Sequence, residues 1–114
     1  QQVAPDVLDY ILGLIVIRDQ TMSTEGINTL RKQIDEIDNQ LMEILAKRMR
    51  VCREIGQYKK EHNMTVLQTS RYNEILDKRG AQGSLCGMDP SFVKTVFEAV
   101  HEESVRQQIE IVNK

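Results

Sequence analysis

The sequence of 114 residues is poor in the residues that build metal centres and disulfide frameworks. Its two cysteines are Cys52 and Cys86, and its two histidines are His62 and His101. The histidines lie far from any metal-ligand spacing, and a zinc site or a disulfide framework would need more ligands or more cysteines. So few cysteines, one expected on a buried helix face and one in a loop, are typical of a reduced, cytoplasmic protein. The sequence therefore predicts no metal site and no disulfide-stapled fold.

The sequence also lacks an excess of charge and a long hydrophobic run. With 15 basic and 17 acidic residues, the formal net charge is -2, which gives little support for sequence-independent binding to nucleic acid. The apolar run from Val7 to Ile17 is interrupted by Asp9 and is shorter than the ~20 residues that span a bilayer. No basic segment precedes it, as one would in a signal peptide. Nucleic-acid and membrane partners are therefore not expected.

What the sequence does contain is a long series of apolar residues at steps of three and four, the pattern of an amphipathic helix. The series runs from Ile27 to Ile55 and predicts one helix of roughly 36 residues, about 54 Å long. Because this exceeds the diameter of a domain of this size, something else must cover its apolar face. The polar segment 19–26 is expected to be a linker. Residues 1–26, opening with a short helix from Pro5, are therefore assigned to the tail of a preceding domain and its linker, and residues 27–114 to the main domain.

Two shorter helices are predicted after the long one. Thr69 or Ser70 can cap the second helix, which we expect to end near Arg79, before Gly80. The pair Asp89-Pro90 is a strong start signal for the third, which should continue to the C-terminus. β-Strand patterns are absent. The predicted fold is all-α, with three helices per chain, one very long, and two chains sharing a core.

Four polar residues interrupt the apolar faces of the first and third helices. They are Arg48, Lys59, Ser104 and Gln108. The two cations lie about three turns apart on one helix face, and the serine and glutamine are an i, i+4 pair on the other. No acidic residue interrupts these faces, and an unpaired buried polar group costs several kcal/mol. The pattern predicts a site that closes around a negatively charged ligand.

Each of these residues has a simpler explanation when it is taken alone. The charged ends of the two cations could reach solvent while their own apolar stems stay buried. The serine and glutamine could mark the end of the buried face near the C-terminus. His101 and Cys52 are assigned to packing, because neither has a catalytic partner at a recognisable spacing. The coincidence of polar positions on two helices favours the ligand site.

Four segments together closely resemble the all-helical chorismate mutase family. They are LRKQIDEIDNQLMEILAKR (30–48), IGQYKK (55–60), TSRYNEIL (69–76) and EESVRQQ (102–108). The resemblance implies an intertwined homodimer that converts chorismate to prephenate by a Claisen rearrangement. Each active site would be enclosed by one chain and completed by the first helix of its partner. The family needs no metal, organic cofactor or covalent intermediate.

The resemblance also assigns roles by position. It implies that one subunit supplies Arg48, Lys59, Arg71, Ser104 and Gln108, and that the other supplies Arg31. The arginines at 31 and 48 would hold the substrate carboxylates. The lysine and Gln108 would stabilise the negative charge that grows on the ether oxygen. Ser104 would support a carboxylate and Arg71 would shape the ring-side wall. Lys59, Gln108 and Arg48 are thus the expected catalytic residues, acting by positioning and electrostatics.

The sequence departs from the family pattern where the substrate hydroxyl is expected. Gln68 replaces a common acidic residue, and Tyr72 replaces the usual glutamate. Both are kept as substrate-binding candidates, since Tyr72 can donate or accept one hydrogen bond. His101 replaces a usually apolar residue near the pocket and could tune affinity.

The segment QQVAPDVLDYILGLIVIRD (1–19) resembles the end of a 3-deoxy-D-arabino-heptulosonate 7-phosphate synthase barrel. That resemblance implies the C-terminal domain of a bifunctional enzyme of aromatic amino-acid biosynthesis, in which prephenate could regulate the synthase. Two other functions stay open. One is an isochorismate pyruvate lyase, which shares the helical scaffold, and the other is a non-catalytic helical module for dimerisation or effector binding.

Overall fold

The computed structural model describes residues 5–114 and contains three α-helices in that range. They are α1 (Pro5–Glu61), α2 (Thr69–Leu85) and α3 (Pro90–Val112). The described residues include no β-strand, which confirms the all-α prediction with one very long helix. The chain divides into two compact units, residues 1–43 and residues 44–114. The start of the predicted domain tail, residues 1–4, lies outside the described residues.

The first unit contains the N-terminal part of α1, and there the predicted break between two helices is wrong. The helix begins at Pro5, as expected, but continues through segment 19–26 without a new start near Ile27. The hydroxyls of Thr21 and Thr24 each donate to the carbonyl four residues earlier, so these polar side chains are satisfied inside the helix. Gly26 costs only about 1 kcal/mol relative to alanine in a helix interior. Polar composition alone therefore did not end the helix.

The apolar face predicted for the first helix is uncovered in this unit. Leu30, Ile34, Ile37 and Leu41 are each more than half exposed. An exposed apolar stripe of this length is unusual in a soluble monomer and marks an interaction surface. None of the helices that the structure describes is both long and apolar enough to cross a membrane.

The second unit combines the end of α1 with α2 and α3. Gly56 is buried where α1 meets α3, and a Cβ at this position would lie 3.0 Å from the Cα of Gln108. The missing side chain lets the two backbones approach closely. After Glu61, Asn63 takes a left-handed conformation with φ of 52°, and the amide of Met64 donates to the carbonyl of Lys59. This turn ends α1 and leads the chain toward α2.

The second helix is longer than predicted, because its glycines pack against α3 and do not end it. Gly80 and Gly83 are both buried within α2. A Cβ at Gly83 would lie 2.5 Å from Cγ2 of Val93 on α3, so only glycine allows this approach. The predicted end near Arg79 is therefore wrong. The chain turns later, at Gly87, where φ is +78°.

The start of α3 agrees with the prediction. The carboxylate of Asp89 accepts a hydrogen bond from the backbone N–H of Ser91 at 2.9 Å, and Pro90 is the first residue of the helix. This cap satisfies one of the free N–H groups at the helix start. The helix then runs to Val112 and carries Ser104 and Gln108 into the interior of the second unit.

Candidate active site

The second unit contains a cavity of about 340 Å³ lined by residues of all three of its helical segments. Six of the eight predicted site residues line it, and these are Arg48, Lys59, Gln68, Arg71, Ser104 and Gln108. Its other lining residues are mainly apolar. A cavity of this volume with a few converging polar groups is typical of a small-molecule site.

Arg48 and Ser104 form the first polar pair in this cavity. The hydroxyl of Ser104 donates to the carbonyl of Val100 at 2.7 Å and accepts from Nη1 of Arg48 at 2.5 Å. Ser104 is only 4% exposed, so it is a buried residue and does not mark a frayed helix end. Because its single hydrogen is committed to the backbone, its oxygen faces the guanidinium. Nη1 also lies 3.7 Å from Sγ of Cys52. The arginine is held in place from α3 and retains N–H groups for a carboxylate.

Lys59 and Gln108 form the second polar pair. Nζ of Lys59 donates to Oε1 of Gln108 at 2.8 Å and to the carbonyl of Val66 at 2.6 Å. Burial lowers the pKa of Lys59 from its ordinary value of 10.5. Gln108 is 7% exposed. Since an ammonium group has three donors, one N–H of Lys59 is left for a ligand, together with the amide NH₂ of Gln108.

Gln68 and Arg71 lie at the start of α2, and both side chains are exposed. Gln68 is the N-cap residue, but its side chain makes no capping hydrogen bond. Nη1 of Arg71 donates to Glu74 at 2.9 Å in an exposed ion pair, and such pairs contribute little to stability. Both side chains are therefore free to reorient toward a ligand. The free N–H groups of the first turn of α2 add partial positive charge at this end of the cavity.

His101 also lines the cavity, although its sequence position was assigned to packing. Its ring stacks on Tyr72, with centroids 4.2 Å apart and an angle of 4° between the rings. Burial lowers the pKa of His101 from 6.5, and the charges of Arg48 and Lys59 lower it further. The lowered pKa favours the neutral form of the ring. Nε2 is buried and has no hydrogen-bond partner among the described residues.

Two predicted site residues do not line the cavity. Tyr72 is half-buried and supports the ring of His101, so its role in substrate binding stays a prediction. Arg31 lies in the first unit, where its exposed side chain donates to Asn28 at 3.5 Å. The family resemblance assigns Arg31 to the site of a partner chain, and this role stays a prediction.

Sequence reasoning missed the contribution of Val66. Its backbone carbonyl accepts from Lys59, and no side-chain pattern can reveal a carbonyl acceptor. His101 was expected near the pocket from the family resemblance, and helical spacing agrees, because it precedes Ser104 by three residues and Gln108 by seven and so shares their helix face. Cys52 is buried, as predicted, and both cysteines are free thiols.

The charged groups that line the cavity are all basic. They are Arg48, Lys59 and Arg71, and no acidic side chain accompanies them among the described lining residues. Within the part of the chain that the structure describes, no group of three or more His, Cys, Asp or Glu side chains could hold a metal ion. The arrangement can bind and orient a small anion with more than one carboxylate, and it presents fixed donors to negative charge that develops within it.

Comparison with known proteins agrees with this geometry. The family model for chorismate mutase type II matches residues 30–109. The chain is 26% identical over 88 residues to 4-amino-4-deoxychorismate mutase of Streptomyces pristinaespiralis, covering 77% of this chain and 68% of that protein. It is 30% identical over 78 residues to the T-protein of Enterobacter agglomerans, covering 68% of this chain and 21% of that protein. It is 26% identical over 92 residues to the bifunctional chorismate mutase/prephenate dehydratase of Buchnera aphidicola subsp. Schizaphis graminum, covering 81% of this chain and 24% of that protein. The chain thus spans about a quarter or less of these last two relatives.

Proposed function

Because this chain belongs to the chorismate mutase type II family, we propose that its site converts chorismate to prephenate. The reaction is an intramolecular Claisen rearrangement, in which a carbon–oxygen bond breaks as a carbon–carbon bond forms. No proton is transferred and no covalent intermediate forms. The protein must therefore act by holding a reactive conformation and by stabilising charge in the transition state.

One observation supports this proposal most directly. Two cation–acceptor pairs, Arg48 with Ser104 and Lys59 with Gln108, are already formed in the same cavity. Chorismate is a dianion, so it supplies the negative charge that the lining residues lack. The pairs fix the donors before the substrate arrives, which is the condition for strong electrostatic catalysis.

The two pairs suit different parts of the substrate. The guanidinium of Arg48 can form a bidentate contact with a carboxylate while Ser104 holds it in position. The remaining N–H of Lys59 and the amide of Gln108 can donate to the ether oxygen. These hydrogen bonds strengthen as the carbon–oxygen bond breaks and the oxygen gains charge. Arg71 and Gln68 can then contact the substrate from the start of α2.

The assay that tests the proposed function measures the products of two related dianions. Purified protein is incubated separately with chorismate and with isochorismate. We expect prephenate from chorismate and no salicylate or pyruvate from isochorismate. Salicylate and pyruvate would indicate the lyase instead, and no turnover of either would favour a non-catalytic module.

We also propose that the active enzyme is a homodimer in which the partner subunit contributes its first helix. The exposed apolar face of α1, which includes Leu30 and Ile37, supports this proposal because a second chain would cover it. Arg31 lies one residue from Leu30 along the same helix and is exposed. In such a dimer Arg31 of the partner would add a second guanidinium to the site.

Mixing two inactive variants tests the shared site. Arg31→Ala and Arg48→Ala homodimers should each have low activity, but a heterodimer has one site that carries both lesions and one that carries neither. We therefore expect activity to return toward about a quarter of the wild-type value after subunits are mixed and exchanged. Mixtures that stay as inactive as the separate variants, with exchange shown by mass spectrometry, would contradict the shared site.

The place of this chain in a longer protein is a separate proposal. Its relatives include fusions of a chorismate mutase with another enzyme, and α1 begins well before the family match at residue 30. We propose that residues 1–26 are the tail and linker of a preceding 3-deoxy-D-arabino-heptulosonate 7-phosphate synthase domain. Synthase activity of the full-length protein, measured with and without prephenate, tests both the fusion and its regulation, and a full-length protein without synthase activity rejects both.

A further inference from the structure

The cavity is surrounded by positive charge from two of the three elements that form it. Arg48 and Lys59 reach it from α1 and Arg71 from α2, while α3 contributes His101. The described lining residues include no carboxylate. Two acidic residues interact with lining residues but do not line the cavity themselves. Glu74 is paired with Arg71, and Glu102 raises the pKa of His101 by less than the two cations of α1 lower it. A ligand group that enters this cavity therefore meets cations or neutral groups.

The neutral polar groups of the cavity are of two kinds. The side-chain oxygens of Ser104 and Gln108 are committed to the cations of α1. Gln68 makes no capping bond, and Nε2 of His101 has no partner in the described structure. The amide of Gln68 has N–H donors and an acceptor oxygen, so it can satisfy both the donor and the acceptor of a hydroxyl. Neither this amide nor the neutral imidazole of His101 carries the negative charge that would pair with an ammonium.

The difference between a hydroxyl and an ammonium is also the difference between the substrates of two related enzymes. One similar protein is a 4-amino-4-deoxychorismate mutase, and its named substrate differs from chorismate by an amino group in place of the ring hydroxyl. Both molecules carry two carboxylates. The amino group is protonated near neutral pH, so it brings a positive charge into the site. Like charges brought together at a binding site oppose association strongly.

Building on the proposed function, we infer that this site selects the substrate with an uncharged ring hydroxyl and discriminates against its 4-amino analogue. The basis is the combination of cationic and neutral lining residues with no carboxylate to pair an ammonium. Gln68 is the specificity-determining residue on the cavity wall, and His101 adds a neutral ring to the same cavity. In the proposed dimer, Arg31 of the partner would increase the positive charge and strengthen the same preference.

The first test compares the two substrates with the wild-type protein. We expect kcat/KM for 4-amino-4-deoxychorismate to be lower than for chorismate by on the order of 10²-fold near pH 7. The difference should narrow as the pH rises and the ammonium loses its proton, because the neutral amine no longer meets repulsion. Equal values, or a preference for the amino substrate, would overturn the inference.

The second test places a carboxylate in the cavity wall. Gln68→Glu should raise the ratio of kcat/KM for the amino substrate over chorismate by on the order of 10-fold or more, because the new charge pairs with the ammonium. Gln82→Glu is the matched control, since it makes the same change on α2 at a residue that bonds Arg79 and does not line this cavity. We expect the control to leave the ratio unchanged. A ratio that fails to rise in Gln68→Glu, or that rises equally in both variants, contradicts the assignment of Gln68.

A binding measurement keeps this inference separate from the proposed function. If neither substrate turned over, the proposed mutase activity would be wrong, but the charge of the cavity would be unchanged. Calorimetric titration with each compound would then show tighter binding of chorismate if the inference holds. Equal or tighter binding of the amino compound would overturn the inference whatever the activity.

Discussion

Arg48→Ala is expected to lower kcat/KM for chorismate by on the order of 10² or more while the helices stay folded. The variant removes the guanidinium that Ser104 holds in the cavity at 2.5 Å. It therefore removes a fixed positive charge and, in the proposed mechanism, the contact with a substrate carboxylate. Continuous assay of chorismate consumption measures the loss, and circular dichroism measures the helical content.

Two further variants show whether the effect belongs to the cavity. Arg50→Ala removes an exposed arginine two residues away on α1 that does not line the cavity, and we expect activity close to wild type. Arg48→Lys keeps the charge but loses the planar fork, so its activity should lie between those of wild type and Arg48→Ala. An Arg48→Ala protein with near-normal turnover would show that the site has been wrongly assigned.

Lys59→Gln is the second substitution with a large expected effect, again a loss in kcat on the order of 10². Glutamine can still donate a hydrogen bond to Gln108 or to the carbonyl of Val66, which Lys59 contacts at 2.8 and 2.6 Å. It carries no charge, however, whereas the proposed mechanism uses a positive charge to stabilise the negative charge that develops on the ether oxygen. Because the contact strengthens in the transition state, we expect the loss to fall mainly on kcat and less on KM.

The neighbouring lysine provides the control for this substitution. Lys60 is exposed, and among the described residues its side chain donates only to the carbonyl of Lys114. Lys60→Gln should therefore retain activity. If Lys60→Gln lost as much activity as Lys59→Gln, a general change of charge on α1 would be responsible and the specific role of Lys59 would be rejected.

The lowered pKa of Lys59 adds a dependence on pH. Burial disfavours the charged form, so the wild-type enzyme should lose activity at alkaline pH before an ordinary lysine would lose its proton. The stability of the folded protein should instead rise with pH over the same range. The unfolded chain keeps the proton to a higher pH than the folded chain, so the cost of burying the charge falls as the pH rises between the two pKa values. Lys59→Gln should abolish this contribution, which parallel melting curves across that pH range would show.

Several features of the fold followed from local chemistry. Asp89 and Pro90 begin α3 as predicted because a carboxylate cap and a preset backbone angle act within a few residues. The two helix boundaries that were predicted wrongly, near residue 27 and near Arg79, also rested on local sequence features. Segment 19–26 is polar but its threonines bond within the helix, and Gly83 is inside α2 because Val93 packs against it. The first was a misjudged propensity, whereas the second depended on a residue of another helix.

In the candidate site, too, some features were predictable from local sequence and others depended on residues of another element. The four polar interruptions of the apolar faces were visible as a pattern, and the cavity brings Arg48, Lys59, Ser104 and Gln108 together as that pattern predicted. The carbonyl of Val66 was not visible, since every residue type has one. Tyr72 stacks on His101, and the substrate-binding role that the family resemblance gives it stays a prediction. Helical spacing predicts which way a side chain points, but it does not predict which groups of other elements that side chain will meet.

By itself, the sequence determined that this protein is helical, that it has few cysteine and histidine side chains, and which polar residues interrupt the apolar faces of its two longest helices. Helical periodicity and capping are local, so they can be read along the chain. Only the tertiary structure decided that Ser104 orients Arg48, that Gln108 and Val66 hold Lys59, and that His101 enters the cavity wall on the ring of Tyr72. These contacts join residues that are distant in sequence, and they form only when the helices pack closely at Gly56, Gly80 and Gly83.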